Sequence, residues 1–178
     1  VPNIRTYSSI INAWSKSDDI NAPREATNIL KKLITMYANG ETEERPDTFM
    51  YTSVINVFAS RGDGEGANKI LEMMQADYKS GNNDAKPNIV TYGTVMNAYA
   101  SHGDPQGASD VLTMMKDDFE AGNNTAKPDS LAYGMVIGAW VKSIDDEASS
   151  QAKHYLDEMI EMHSKGFLNE GPNTIVYG

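Results

Sequence analysis

Cysteine is absent from the 178 residues of this chain. That excludes a disulfide framework and any thiolate chemistry, nucleophilic or metal-binding. Long apolar runs are missing as well. No stretch approaches the roughly 18 residues that a membrane helix needs, so no membrane partner is expected. The 3 histidines, His102, His154 and His163, sit far apart in register. There is no His-Glu-x-x-His, no phosphate-cradling glycine loop and no serine elbow. The chain therefore reads as non-enzymatic, with no metal and no organic cofactor. Positive charge is scarce: 15 Lys and Arg stand against 25 Asp and Glu, a net charge of -10. As a total, that argues against nucleic acid, whose binding rests on cations neutralising phosphates.

Position qualifies the total, because carboxylates are themselves missing from four segments. None of the 25 lies in 4–17, 48–62, 89–103 or 130–144, which together hold Arg5, Lys16, Arg61, His102 and Lys142. The acids crowd elsewhere, as in Glu41-Thr42-Glu43-Glu44 and Asp117-Asp118-Phe119-Glu120. If the acid-free segments share one face, that face is neutral to weakly basic and the opposite one strongly acidic. Deeper burial alone would also strip these segments of charge. Their other polar residues, however, are Ser, Thr, Asn and Gly, which hydrogen-bond a ligand without repelling phosphate. An acidic far side keeps such a molecule soluble.

What the sequence does contain is a recurring hexapeptide. Pro87-Asn88-Ile89-Val90-Thr91-Tyr92 returns as Pro2 to Tyr7, Pro46 to Tyr51, Pro128 to Tyr133 and Pro172 to Tyr177. Residues 48–88 laid on 89–129 without gaps give 19 identities in 41 positions. A period of this length marks a solenoid or a propeller rather than one globular core. The expected repeats are 4–47, 48–88, 89–129 and 130–173, with 174–178 opening a fifth, all in a single array. The chain reads as a piece of a longer array, uncapped at both ends.

Each repeat reads as two helices. Tyr92, Val95, Met96 and Tyr99 fall at i, i+3, i+4 and i+7, an apolar stripe on one helix face. Tyr7, Ile10, Ile11 and Trp14 repeat it, as do Tyr51, Val54, Ile55 and Phe58, and Tyr133, Val136, Ile137 and Trp140. These first (A) helices follow a proline and an Asp or Asn suited to an N-cap. After turns such as Arg61-Gly62-Asp63-Gly64, the second (B) helices carry stripes such as Ala67, Ile70, Leu71 and Met74. The fold class is therefore all-α, four helix pairs and the start of a fifth, in a right-handed superhelix with the A helices lining its inner face. Asn123-Asn124-Thr125 matches a glycosylation sequon, read here as coincidence in a loop.

Paired helices, Pro-[Asn/Asp] before each repeat, Thr-Tyr opening the A helix and an Ala-x-x-x-Leu-x-x-Met B helix together resemble the pentatricopeptide repeat family. The resemblance covers essentially the whole chain. It departs in length, these repeats running longer than the family's roughly 35 residues, with the excess after helix B. It implies single-stranded RNA as partner, one base per repeat read by two or three side chains. By resemblance the base-specifying pairs are Ser8 with Asp47, Thr52 with Asn88, Gly93 with Asp129, and Gly134 with Asn173. Asp accepts only, which leans the first repeat to guanine; Asn donates and accepts, which leans the second to adenine. Gly93 and Gly134 lack the usual side chain. Base-sandwiching positions are Arg5, Phe49, Val90 and Leu131. Lys16 and Lys142, near the A-helix ends, are candidate phosphate contacts. A monomer in a mitochondrion or plastid, serving RNA processing, editing, stability or translation, is what the resemblance implies. The other reading is a protein-binding scaffold of tetratricopeptide type, its acidic B-helix face holding a basic partner. The missing Trp-x-x-Leu-Gly-x-x-Tyr pattern disfavours that one.

Overall fold

A computed structural model describes residues 4–172, all helix and connecting loop among the described residues. The expected opening of a fifth repeat at 174–178, and Asn173, lie outside them. Eight α-helices follow in order: α1 (Ile4–Ser15), α2 (Ala22–Ala38), α3 (Thr48–Ala59), α4 (Gly64–Lys79), α5 (Ile89–His102), α6 (Pro105–Glu120), α7 (Ser130–Lys142) and α8 (Ala148–Ser164). Odd numbers are the A helices and even numbers the B helices.

The helix starts have chemical causes. Asp47, Asn88 and Asp129 sit in extended backbone, and their side-chain oxygens accept from Met50 N, Thr91 N and Ala132 N at 2.8, 3.1 and 2.9 Å. The preceding prolines forbid a helix running in from upstream. Asp63 and Asp104 cap α4 and α6 in the same way, through Gly66 N and Gly107 N. Pro105 occupies the first turn of α6, where no backbone donor is needed. α5 ends on Gly103 at φ 81°, a left-handed conformation costly to any residue with a Cβ.

Packing decides the architecture. Consecutive A helices pack on one another, whereas each B helix packs on its own A helix and on the next one. The A layer is therefore continuous and tight, and the stack curves with it on the inner side. Tyr51, Tyr92 and Tyr133 are the largest fully buried side chains, flanked by Met50, Ile55, Met96, Leu71 and Leu112. Each such aliphatic side chain contributes about 1.5–3 kcal/mol by leaving water. Most of that gain exists only where a neighbouring unit covers it, so the units stabilise one another in series.

The ends of the described stack depart from the periodic expectation. Ile10 is 43% exposed, although its equivalents Val54, Val95 and Val136 are fully buried. Those three belong to helices that pack on a preceding A helix, and among the described residues no helix comes before α1. At the other end Ala152, Tyr155 and Leu156 of α8 are half-buried where the matching residues of α4 and α6 are covered. The stripe residues were core by position; burial needed a neighbour.

Polar struts run through each unit. The hydroxyls of Tyr51, Tyr92 and Tyr133 donate to Asp77, Asp118 and Glu158 at 3.1, 3.0 and 3.0 Å, tying each A helix to its own B helix. Among the described residues the Tyr7 hydroxyl finds only the Met36 sulfur, 3.9 Å away. Arg45 pairs with Asp77 at 2.7 Å and Lys116 with Glu158, both half-buried.

Candidate functional site

The exposed side of the A layer forms a groove divided into segments between successive units. The first, about 390 Å³, gathers Arg5, Ser8, Asn12, Asp47 and Phe49. A second, about 440 Å³, gathers Val90, Gly93, Asn97, Asp129, Leu131 and Met135. A third, about 460 Å³, gathers Leu131, Gly134, Gly138 and Lys142. Residues 39 and 36 apart in sequence thus line the same segments across adjacent units: Ser8 with Asp47, and Gly93 with Asp129. The proposed sandwiching positions flank them. Gly134 stands in the third segment, while its partner Asn173 lies outside the described residues.

The sandwich column is unusual in its exposure. Phe49, Val90 and Leu131 are 63%, 61% and 59% exposed, large apolar side chains at one register of three successive A helices. Arg5 holds that register in α1 and is exposed too. Single exposed apolar residues are ordinary, but a periodic row along a groove is a surface for flat or apolar groups.

Hydrogen bonding fixes what the paired positions offer. Asp47 and Asp129 each spend one oxygen on a helix cap and leave the second free to accept. Ser8 is only 6% exposed at the floor of the first segment, and its hydroxyl has no internal partner among the described residues. Asn88 differs. Its Oδ1 accepts from Val90 N at 3.0 Å, from Thr91 N and from the Thr91 hydroxyl at 3.2 Å. That leaves its Nδ2 free as a donor. The Thr52 and Thr91 hydroxyls lie 3.0 Å apart. With the Thr91 proton on Asn88, Thr52 donates to Thr91 and presents only acceptor lone pairs outward. Thr52 and Asn88 are thus linked through Thr91 and together offer one acceptor and one donor.

Two asparagines hold the Asp47 and Asn88 junctions in place. Asn82 Nδ2 donates to the Pro46 carbonyl and Asn123 Nδ2 to the Pro87 carbonyl, both at 2.8 Å. Each clamps the residue just before Asp47 or Asn88 from the loop that closes the following unit. Their amides also reach Asp77 and Asp118, joining the clamp to the tyrosine struts. Sequence reasoning missed them, although Gly-Asn-Asn recurs at 81–83 and 122–124. Asn123 is only 2% exposed, which removes it as a glycan acceptor.

The cations divide into two kinds. Lys16 and Lys142 are exposed at the far ends of α1 and α7. Arg61 is withdrawn from the groove: its guanidinium donates to the carbonyls of Ser17, Asp19 and its own Val57, fastening α3 to the turn of the first unit. Burial, reinforced by the facing carboxylates, pushes the phenols of Tyr51, Tyr92 and Tyr133 well above the usual tyrosine range. They stay neutral donors behind the groove. Among the described residues no cluster of His, Asp and Glu is placed to hold a metal ion, and no helix is long and apolar enough to cross a membrane.

Residues 2–121 match the family described as the pentacotripeptide-repeat region of PRORP. Solved structures similar over 99% of this chain include the pentatricopeptide repeat protein PPR10 in complex with an 18-nt psaJ RNA element, with a TM-score of 0.61 at 19% identity. A triple cysteine-to-serine variant of the same protein with that RNA element gives the same values. The chain spans 22% of the length of those proteins. At that identity they establish the helical-repeat solenoid as the shared fold. No curated protein sequence matches.

Proposed function

We propose, from the premise that this chain belongs to the pentacotripeptide-repeat family, that it binds single-stranded RNA along the A-helix groove and reads one base per helix pair. The observation that carries this is the assembly of an exposed sandwiching column with unspent hydrogen-bonding atoms, at matching register in successive units. Bases stack on Phe49, Val90 and Leu131, with Arg5 completing the column by stacking or meeting phosphate. Between them the paired positions meet base edges.

The atoms left over by capping support particular bases. Ser8 offers a hydroxyl and Asp47 a free carboxylate oxygen, which complement the acceptor O6 and the donors N1–H and N2–H of guanine. Thr52 offers an acceptor and Asn88 a donor, which complement the N6 donor and N1 acceptor of adenine. Gly93 and Gly134 offer no side chain, so Asp129 reads alone in the third unit and the fourth rests on Asn173. Lys16 and Lys142 take phosphates, and the low cation count keeps the electrostatic share of affinity small. The segment acts as a non-catalytic, monomeric RNA-binding array. Its setting, by family, is organellar RNA processing, editing, stability or translation in a mitochondrion or plastid.

Fluorescence anisotropy of the chain tests this, with a G-A-containing RNA oligomer, an oligo-U and the DNA counterpart at two salt concentrations. Preference for the G-A RNA, weakening modestly with salt, is the expected result. Indifference among the three at micromolar protein contradicts it and shifts attention to a basic protein partner on the B-helix side.

A further inference from the structure

One turn beyond each base-facing position of the first three A helices stands an asparagine: Asn12 after Ser8, Asn56 after Thr52 and Asn97 after Gly93. Residues four apart share a helix face, about 6 Å further along the axis. All three are exposed. Asn12 lines the first groove segment, Asn56 and Asn97 the second, and Asn97 reaches into the third. The side-chain amides of Asn56 and Asn97 have no internal hydrogen-bond partner, and Asn12 receives only a 3.5 Å contact from Ser15.

Nothing in the fold accounts for them. Asparagine is a poor helix former in mid-helix, because its side chain competes for the backbone. Here it neither caps nor back-bonds. A further four residues on, the same face reaches Lys16, Ser60, Ser101 and Lys142. Each A helix therefore presents a ladder of three rungs toward the groove. The lowest faces the base, the highest faces phosphate where it is lysine, and the middle one is amide in three units and Gly138 in the fourth. A nucleotide has the same order, base, then sugar, then phosphate.

We propose that Asn12, Asn56 and Asn97 bind the ribose 2′-hydroxyls of the RNA and so select RNA over DNA. The inference rests on the RNA-binding reading above. An amide suits this group: the 2′-hydroxyl both donates and accepts, and so does the carboxamide, whereas a phosphate oxygen would use only its donors. Uncharged rungs also fit a groove with few cations, since they add affinity that salt does not screen.

The test compares an oligomer of G, A and C only with its all-2′-deoxy counterpart, so that the two differ solely in the 2′-hydroxyl. Binding is measured for the wild type and for Asn12→Ala, Asn56→Ala, Asn97→Ala and the triple variant. Each single change is expected to weaken RNA binding about fivefold, the value of one hydrogen bond, and the triple roughly twentyfold or more. DNA affinity should move less than about twofold, so the RNA-to-DNA ratio collapses toward parity. Alanine favours helix, so circular dichroism should show the variants at least as stable as the wild type. In reverse, Gly138→Asn adds the missing rung, where a Cβ meets no heavy atom within 4 Å, and should raise the ratio. A wild type that favours RNA with a ratio unchanged in the triple variant overturns the ladder alone. So does an equal loss toward RNA and DNA. A wild type that binds neither oligomer overturns the RNA-binding reading itself.

Discussion

The hydroxyl of Tyr92 donates to the carboxylate of Asp118 at 3.0 Å, joining two helices 26 residues apart in sequence. Asn123 Nδ2 donates to the same carboxylate oxygen and, at 2.8 Å, to the carbonyl of Pro87 beside Asn88, the proposed reading position. The buried strut and the Pro87–Asn88 junction are thus one hydrogen-bonded unit. Tyr92→Phe removes one donor from a buried carboxylate and should destabilise the chain by about 1–3 kcal/mol. Asn123→Ala should cost a similar amount and also blur base selection at the second unit. Urea unfolding and binding measured on the same variants separate the two effects, and intact selectivity in Asn123→Ala would remove the clamp's functional role.

Stability should fall at alkaline pH. Burial and facing carboxylates raise the phenols of Tyr51, Tyr92 and Tyr133 above their ordinary value. In the unfolded chain they titrate near pH 10, at about the model-peptide value. Above that pH the unfolded state releases protons that the folded state retains, so it binds fewer and stability declines as pH rises. Below it the tyrosine contribution is complete and flat. Urea midpoints should hold steady up to about pH 9 and drop beyond about pH 10. The Phe variants should drop less steeply, one proton per tyrosine replaced.

Glycines in the two helix layers should respond oppositely to alanine. A Cβ on Gly134 meets nothing within 4 Å, whereas one on Gly66 would sit 2.1 Å from the Phe58 ring. Gly134→Ala should stabilise by about 1 kcal/mol through helix propensity. Gly66→Ala should destabilise by about 1–3 kcal/mol through overpacking. Gly134→Asn should leave the fold intact and sharpen base preference at the fourth unit. Thermal melts and binding panels check both halves.

The sequence made the helix pairs legible because the 3.6-residue stripe and the proline-cap junction repeat in register. The grouping of Ser8 with Asp47 and of Gly93 with Asp129 in shared groove segments followed the register as well. What it hid was pairwise and distant. Nothing local marks Arg61 as a fastener rather than a free cation, because its acceptors are carbonyls of another unit, Ser17 and Asp19. The periodicity also placed Ile10 in the core, since a stripe records which face is apolar and not whether a neighbour covers it. Nor does anything local mark Asn82 and Asn123 as clamps, because the carbonyls they reach, Pro46 and Pro87, are 36 residues away.

Stacking should carry more affinity than charge. Phe49 is 63% exposed and the only aromatic residue among the sandwiching positions. Phe49→Ala should weaken RNA binding by about 1–3 kcal/mol, the value of one stacked base. Lys16→Ala should weaken it less and reduce the slope of affinity against salt. Equal losses for the two would mean that the groove binds by charge rather than by stacking.

Base selection by Asn88→Asp bears most directly on modular reading. Aspartate keeps the oxygen that caps α5, so the fold should be unchanged, and it exchanges the free Nδ2 donor for an acceptor like that of Asp47 and Asp129. Anisotropy titrations would use RNA oligomers differing only in A or G at the base opposite the second unit. The wild type should favour A, and the variant should favour G with little change in affinity for its preferred oligomer. An unaltered preference, or none in either protein, would contradict base reading by this pair.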